Sequence, residues 1–352
     1  MSLLPGVTFV IPVHNGEAWL DRTLSAIFAQ DDGRAMEVLA VDDGSRDRSR
    51  TILESYARFG RLEVLDGAGL GAAAAINQGI RRATHPIICQ VDQDVILHPG
   101  WLSSLTSELA AQDVAAAQGY YVAPAHGSIW SRVMGLDLEH RYGQIRNPHA
   151  VDHVCTGNTA YRASALASVG LLDERLGYGY DNDISYRLIH AGYRLAICRE
   201  ATSTHEWRDD LVGYLRQQYG FGYGRLDLVT KHRRRLTGDD VSRFDMMLHA
   251  PVMAVAVVGL AVAAILALFG YASLLLAALS GGLVVMLAGE RFVAGVRAAR
   301  KFRDRAGFLF MPVHLVRDLA WTAAILVWLG RRVWGGTSRP AHSMHPREVN
   351  LR

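Results

Sequence analysis

Cysteine is scarce. Cys89, Cys155 and Cys198 are widely spaced in a chain of 352 residues, odd in number, and form no Cys-x-x-Cys. That excludes a disulfide framework and argues against a structural zinc site; reduced thiols facing the cytosol are expected. Two glycine signatures are also missing. No Gly-x-Gly-x-x-Gly directly follows the first strand-like run, and no Gly-x-x-x-x-Gly-Lys-Ser/Thr occurs. A dinucleotide-binding dehydrogenase and a P-loop NTPase are therefore disfavoured. Met1 to Gly6 lack a basic stretch followed by an apolar one, so no cleaved signal peptide is expected. Internal repeats are absent, and the only biased segment is rich in Ala and Leu, near the C-terminus.

Charge is nearly balanced, with a formal net of +3, but its placement is uneven. Lys231, His232, Arg233, Arg234 and Arg235 form one basic run; Arg297, Arg300, Lys301, Arg303 and Arg305 form another. Each borders an apolar segment, so an anionic membrane surface suits them better than nucleic acid. Hydrophobic residues make up 50% of the chain and concentrate after residue 250. A chain this long exceeds one typical domain, so two units are expected.

The first part alternates buried strands with helices. Val7 to Ile11 is a β-branched and aromatic run ended by Pro12, with the turn Val13-His14-Asn15-Gly16 before a helix from about Glu17 to Gln30. Glu37 to Val41 is a second strand, closed by Asp42-Asp43-Gly44-Ser45 and followed by a helix from about Arg48 to Phe59. Leu62 to Leu65 is a third. Gly67, Gly69 and Gly71 follow, then an Ala-rich helix through Arg82. Ile87 to Val91 is a fourth, ending in Asp92-Gln93-Asp94. Such alternation predicts a doubly wound α/β sheet, with ligands at the carboxyl ends of its strands. Pro12, Asp43, the glycine loop and Asp92/Asp94 all fall at such ends.

The chemistry at that edge points to a nucleotide. Asp92 and Asp94 share one side of an extended chain and repel unless a cation sits between them. A divalent ion such as Mg²⁺ or Mn²⁺ suits these ligands and completes its shell with substrate phosphates. An isolated Asp-x-Asp is more often a solvated strand-end turn; its neighbours decide. Asp43 can accept from a base or a ribose hydroxyl, and the glycines around Gly71 let backbone approach a ligand.

Val-Ile-Pro-Val-His-Asn at 10–15, Val-Asp-Asp-Gly-Ser at 41–45 and Asp92-Gln93-Asp94 resemble the nucleotide-sugar half of family-two glycosyltransferases of GT-A fold. Thr156-Gly157-Asn158-Thr159-Ala160-Tyr161-Arg162, Val169-Gly170-Leu171-Leu172-Asp173-Glu174, Gly179 to Leu188 and Ala191-Gly192-Tyr193-Arg194 resemble their acceptor half. The resemblance covers about residues 6–225. It implies a doubly wound mixed sheet of GT-A type followed by an α-helical membrane region. It also implies an inverting, metal-dependent transfer of a sugar from a nucleotide diphosphate donor, expected to be UDP-linked. Pro12, Asn15, Asp43, Gly71, Asp92 and Gln93 are the donor-binding candidates. Asp94, Asp92 and His205 are the ligands expected for Mg²⁺ or Mn²⁺. Asp181 matches the family's base, with Tyr180 in place of the Glu that precedes it; Asp183 is the alternative. Asp183, Arg187 and Trp207 are acceptor-side candidates, and Trp207, Tyr178 or Tyr180 can stack on a ring.

Two departures matter. The helix after the glycine loop carries no early cation for the phosphates, leaving Arg81, Arg162, Arg208 or the metal to serve. Processive members carry Gln-x-x-Arg-Trp where this chain reads Arg216 to Tyr223 without the Arg-Trp pair, so single-sugar transfer is favoured over a processive synthase. An idle scaffold of the same fold is argued against by intact Asp43, Asp92, Asp94 and Asp181.

Ala250 to Tyr271 and Ala272 to Gly289 are uncharged, and at 1.5 Å per residue the first can span about 30 Å of hydrocarbon. The flanking basic runs stay cytosolic, so this hairpin crosses twice. Phe308 to Leu329 is interrupted by His314, Arg317 and Asp318; it either spans with the pair facing other helices or lies partly at the interface. The expected layout is a transferase domain at 1–225, with a donor half (1–98) and an acceptor half (99–225). A basic linker follows at 226–249, then membrane helices at 250–330 (hairpin 250–289, third segment 308–330) and a basic tail at 331–352. The expected setting is the cytoplasmic membrane with the catalytic domain in the cytosol. Membrane lipids and a lipid-linked or glycan acceptor are the expected partners, because Arg216 to Arg243 is basic and aromatic beside the bilayer.

Overall fold

The computed structural model describes residues 4–30 and 32–333. Met1 to Leu3 and most of the expected basic tail, including Arg339 and Arg347, lie outside them. Within the described residues, 4–124 and 144–206 form one compact unit, and 125–143 with 207–333 form another.

The first unit holds a single mixed sheet. In chain order its elements are β1 (Val7–Val13), α1 (Leu20–Phe28), β2 (Met36–Asp42), α2 (Ser49–Ala57), β3 (Glu63–Asp66), α3 (Ala72–Arg82), β4 (Ile87–Val91), β5 (Val95–Leu97), α4 (Trp101–Glu108) and β6 (Val114–Val122). Helix α5 (Ile129–Tyr142) belongs to the second unit. The sheet then resumes with β7 (Asn158–Arg162), α6 (Ala163–Val169), α7 (Tyr180–His190) and β8 (Arg194–His205). The eight strands run in the order β3-β2-β1-β4-β7-β6-β8-β5. Strands β1 to β4 are parallel, whereas β7 is antiparallel to both β4 and β6. Phe9, Ile11 and Leu39 are fully buried, as continuous apolar strands require when helices cover a parallel sheet.

Strand β1 passes through Pro12 instead of ending before it, with Pro12 opposite Val41. The missing amide costs no ladder bond. Val7 donates toward β2, to the Ala35 carbonyl, and alternation turns position 12 toward β4, whose pairing with β1 stops at Val10.

The second unit is helical: α5, α8 (Leu211–Lys231), α9 (Phe244–Leu268), α10 (Leu274–Phe302) and α11 (Phe310–Val333), with short 3₁₀ turns at Arg233–Thr237 and Arg305–Leu309. Three of these stretches, Phe244–Leu268, Leu274–Phe302 and Arg305–Val333, are long and apolar enough to cross a membrane. Val255, Ile265, Leu275 and Val285 stand exposed along the first two, the surface a hydrocarbon solvent would cover. The stretch expected as a linker at 226–249 carries instead the end of α8, a 3₁₀ turn and the start of α9. Arg317 and Asp318 are both buried and turned into the bundle, paired with each other at 3.1 Å and with His249 of α9 3.4 Å from Asp318. Asp137 of α5 lies 3.1 Å from Arg141 and 3.8 Å from His314. A buried charge is tolerated only when matched in this way.

Candidate active site

The site is assembled at the carboxyl ends of β1, β2, β3 and β4. Asp43 follows β2, and both its oxygens accept backbone amides, from Gly69 and from Gly71, each at 2.7 Å. Gly69 and Gly71 adopt positive φ, which this tight wrap needs. Asp43 thereby shapes the glycine loop from the place where it was expected to meet a ligand. Gln93 similarly turns to backbone: the His14 amide donates to its Oε1 at 2.8 Å, and its Nε2 donates to the His14 carbonyl at 3.1 Å. Asn15 is exposed with φ of 52°, receiving the Arg46 amide on its side-chain oxygen. Pro12, half-buried, sits just before this turn.

Asp92 and Asp94 flank Gln93, and β8 delivers His205 beside them because Val95 pairs with His205. Asp92, Asp94 and His205 each offer one donor atom, all within 4.8 Å of one another, and are the one such trio among the described residues. His205 Nε2 lies 3.7 Å from Asp94 Oδ1, too far for a hydrogen bond and apt for two groups that share a third partner. Two carboxylate oxygens and one imidazole nitrogen fit Mn²⁺ or Mg²⁺ better than a soft ion.

Asp92 is tightly packed. Gln90 donates to its Oδ1 at 2.9 Å, and its amide reaches the Gly157 carbonyl at 3.1 Å. A Cβ on Gly157 would fall 2.2 Å from Asp92 Oδ2. The Thr156-Gly157-Asn158 segment is thus placed by antiparallel β7, and Asn158 accepts the indole N–H of the buried Trp101 at 2.6 Å.

Asp181 lies in the first turn of α7, half-buried, with Oδ1 accepting the Asn182 amide at 2.8 Å and Oδ2 3.5 Å from His153 Nε2. Burial, then the nearby carboxylates Asp92 and Asp181, push the Tyr180 phenol well above its ordinary range. The Tyr161 phenol is raised first by burial and then by Asp181, and the Cys155 thiol by burial, Asp181 and Asp92. Both carboxylates therefore act on the same small set of side chains.

Several expected residues have partners of their own or fall outside the first unit. Asp183 is fully buried and bonded to Arg187 at 2.8 Å, and Arg187 in turn binds the carbonyls of Val169 and Leu171. This pair braces the α6–α7 connection. Arg162 pairs with Ile87 at the far end of β4 and binds the carbonyls of Leu109 and Ala111, so it cannot reach a phosphate held near Asp92. Arg81 pairs with Glu174 at 3.0 Å. Trp207 and Arg208 belong to the second unit. Gln90 and His153 were not foreseen, and Gly157 only as part of the Thr156 motif, without its packing against Asp92. Only the position of His153 just ahead of the Thr156 motif hinted at it.

Comparison with known proteins agrees with this geometry. Residues 8–170 match Glycosyl transferase family 2. The chain is 30% identical over 235 residues to the pre-mycofactocin glycosyltransferase of Mycobacterium tuberculosis, covering 64% of this chain and 48% of that protein. It is also 30% identical over 233 residues to an N-acetylglucosaminyltransferase of Mesorhizobium japonicum, covering 61% and 54%. The chain thus spans about half the length of these relatives. In fold it is similar to the mannosyltransferase PcManGT from Pyrobaculum calidifontis, solved with GDP-Man and Mn²⁺. The TM-score is 0.59 at 17% identity, over 93% of this chain and 90% of that one. Residues 8–170 thus carry the glycosyl transferase family 2 match, within a fold of GT-A type, and helices long and apolar enough to cross a membrane follow.

Proposed function

We propose that the protein is a membrane-anchored, inverting glycosyltransferase that moves one sugar from a nucleotide diphosphate donor to a lipid-linked or glycan acceptor. The observation that carries this reading is the Asp92, Asp94 and His205 trio at the sheet edge where Asp181 also acts on Tyr180, Tyr161 and Cys155. Asp92, Asp94 and His205 would hold Mn²⁺ or Mg²⁺. When bound, the ion neutralises the diphosphate leaving group. The chain's own residues do the rest. The glycine loop, shaped by Asp43, and the turn at Pro12 to Asn15, clamped by Gln93, form the floor for the nucleoside. Asp181 takes the proton of the acceptor hydroxyl while that oxygen attacks the anomeric carbon opposite the diphosphate. The bond to the diphosphate breaks, and with a single carboxylate base and no enzyme nucleophile the configuration inverts.

The donor class follows the relatives: GDP-Man is bound in PcManGT, and an N-acetylglucosaminyl group is named for the rhizobial relative. The UDP-linked donor expected from the sequence belongs to the same class. The acceptor reading rests on Arg233 and Arg234, exposed on the turn before α9, and on the three candidate spans. The basic runs stay on the cytosolic side of the cytoplasmic membrane, keeping the transferase where nucleotide sugars are made. The division into a transferase domain up to about residue 225 and a membrane region beyond it is part of the same proposal.

Asp94→Ala and Asp181→Asn, made separately, test the assignment by nucleotide release across a panel of UDP- and GDP-sugars with Mn²⁺. Each is expected to lose about 10²-fold or more. Near-normal rates in both would overturn it.

A further inference from the structure

We infer that His153 is a positioning residue for Asp181, holding the carboxylate in the orientation a base needs; this rests on the reading of Asp181 as base. His153 lies just before β7, is 8% exposed, and points Nε2 at Asp181 Oδ2 from 3.5 Å. The separation exceeds an ordinary N–H···O bond. Catalytic contacts in ligand-free geometry are commonly this long and tighten when substrate is bound.

The contact is built in by its surroundings. The Val154 amide donates to Ser185 Oγ at 3.1 Å, and Ser185 Oγ donates to the Asp181 carbonyl at 2.7 Å. The Cys155 amide donates to Gln118 Oε1 at 2.6 Å, and the Val151 amide to the Leu195 carbonyl at 3.0 Å. The segment carrying His153 is therefore anchored to the sheet on both sides and to the first turn of α7 through one serine. Asp181 Oδ1 accepts the Asn182 amide, and the His153 ring faces Oδ2. Each oxygen keeps a lone pair for the incoming proton, and a His153 contact that tightens with substrate bound limits rotation of the carboxylate. A base held within a few tenths of an ångström of its target gains rate, and the effect falls on kcat and not on donor binding.

The test uses the full chain in detergent and the panel donor that gives the fastest Mn²⁺-dependent nucleotide release, with water as the acceptor. His153→Leu is expected to lower kcat about 10-fold while leaving the donor KM and the Tm near wild type. His153→Gln, whose amide N–H reaches the position of Nε2, is expected to restore most of that loss. His153→Asn, polar but too short to reach Oδ2, is expected to be as slow as His153→Leu, and it serves if the leucine variant does not fold. Wild-type kcat in His153→Leu or His153→Asn, with Asp181→Asn inactive, overturns the His153 role alone. A glutamine variant as slow as the leucine one does the same. Wild-type kcat in Asp181→Asn overturns the base and His153 together.

Discussion

Gly157→Ala separates metal binding from folding, because the structure puts its whole cost on one side chain. A Cβ at position 157 would lie 2.2 Å from Asp92 Oδ2 and 2.5 Å from Asp92 Cγ, whereas ordinary contact begins at 3.4 Å. The carboxylate must move by about 3.4 − 2.2 = 1.2 Å. Gly157 is not among the positive-φ glycines, so alanine adopts its backbone unstrained. Because the obstructed atoms are the end of a side chain that can rotate, the stability cost stays at the low end of the range for overpacking, about 1 kcal/mol. It is partly offset by the lower freedom of an unfolded alanine, about 0.4–1 kcal/mol. The effect on an ion is different. Hard divalent ions bind oxygen at about 2.0–2.2 Å with little tolerance, so a shift of this size removes Asp92 as a ligand. A loss of about 10–100-fold in Mn²⁺ affinity is expected, equivalent to about 1.4–2.7 kcal/mol. Calorimetric titration of Mn²⁺ in the presence of UDP, beside thermal unfolding, reads both quantities. An unchanged Mn²⁺ titration at unchanged Tm would refute Asp92 as a ligand. Unchanged Mn²⁺ affinity with a collapsed Tm would show that Gly157 serves packing alone.

Two further outcomes follow from buried pairs. Asp183→Asn leaves Arg187 uncompensated and is expected to cost about 3–5 kcal/mol in stability, with nucleotide release per folded molecule near wild type; loss of turnover at an intact Tm would return Asp183 to the catalytic site. At Asp137, burial alone would raise the carboxyl, but the Arg141 guanidinium and the cations opposite it hold it well below the usual range. Its folded pKa is thus below the unfolded value of about 3.9, so its stabilisation is complete above that pH and is lost as pH falls toward the folded pKa. Thermal unfolding in detergent should therefore fall more steeply from pH 5 to pH 3 in the wild type than in Asp137→Asn, and parallel curves would sink the idea.

The parallel half of the sheet was legible because each of its strands is an unbroken apolar run closed by polar or glycine residues. The sequence order of β1 to β4 follows from that pattern alone. The antiparallel half was not. Strand β5 is only three residues long, β6 mixes Gln118, Gly119 and two tyrosines with alanines, and β8 runs on past its apolar start at Leu195 to His205 through alternating polar residues. Helix α5 was hidden for a related reason. Its buried face mixes Val133, Leu136 and Leu138 with Asp137, whose partner His314 lies far along the chain. No apolar stripe forms when a helix is enclosed by partners that neutralise its charges.

The two aspartates of α7 show where local geometry already held the answer. Successive helical residues turn by about 100°, so positions two apart lie about 200° apart and cannot both face one substrate. Asp183 and Arg187, four apart, share a face and do bond, and that face is the buried one. Asp181 is thereby left on the opposite side, half-exposed, at the carboxyl edge of the sheet. What no helical argument supplies is the residue that meets it there. His153 arrives from an irregular segment held by β7, β8 and Gln118, and its contact with Asp181 exists only once the antiparallel strand has been laid beside β4. Which aspartate is buried can be read by counting along a helix; the approach of His153 to the other is a product of tertiary pairing.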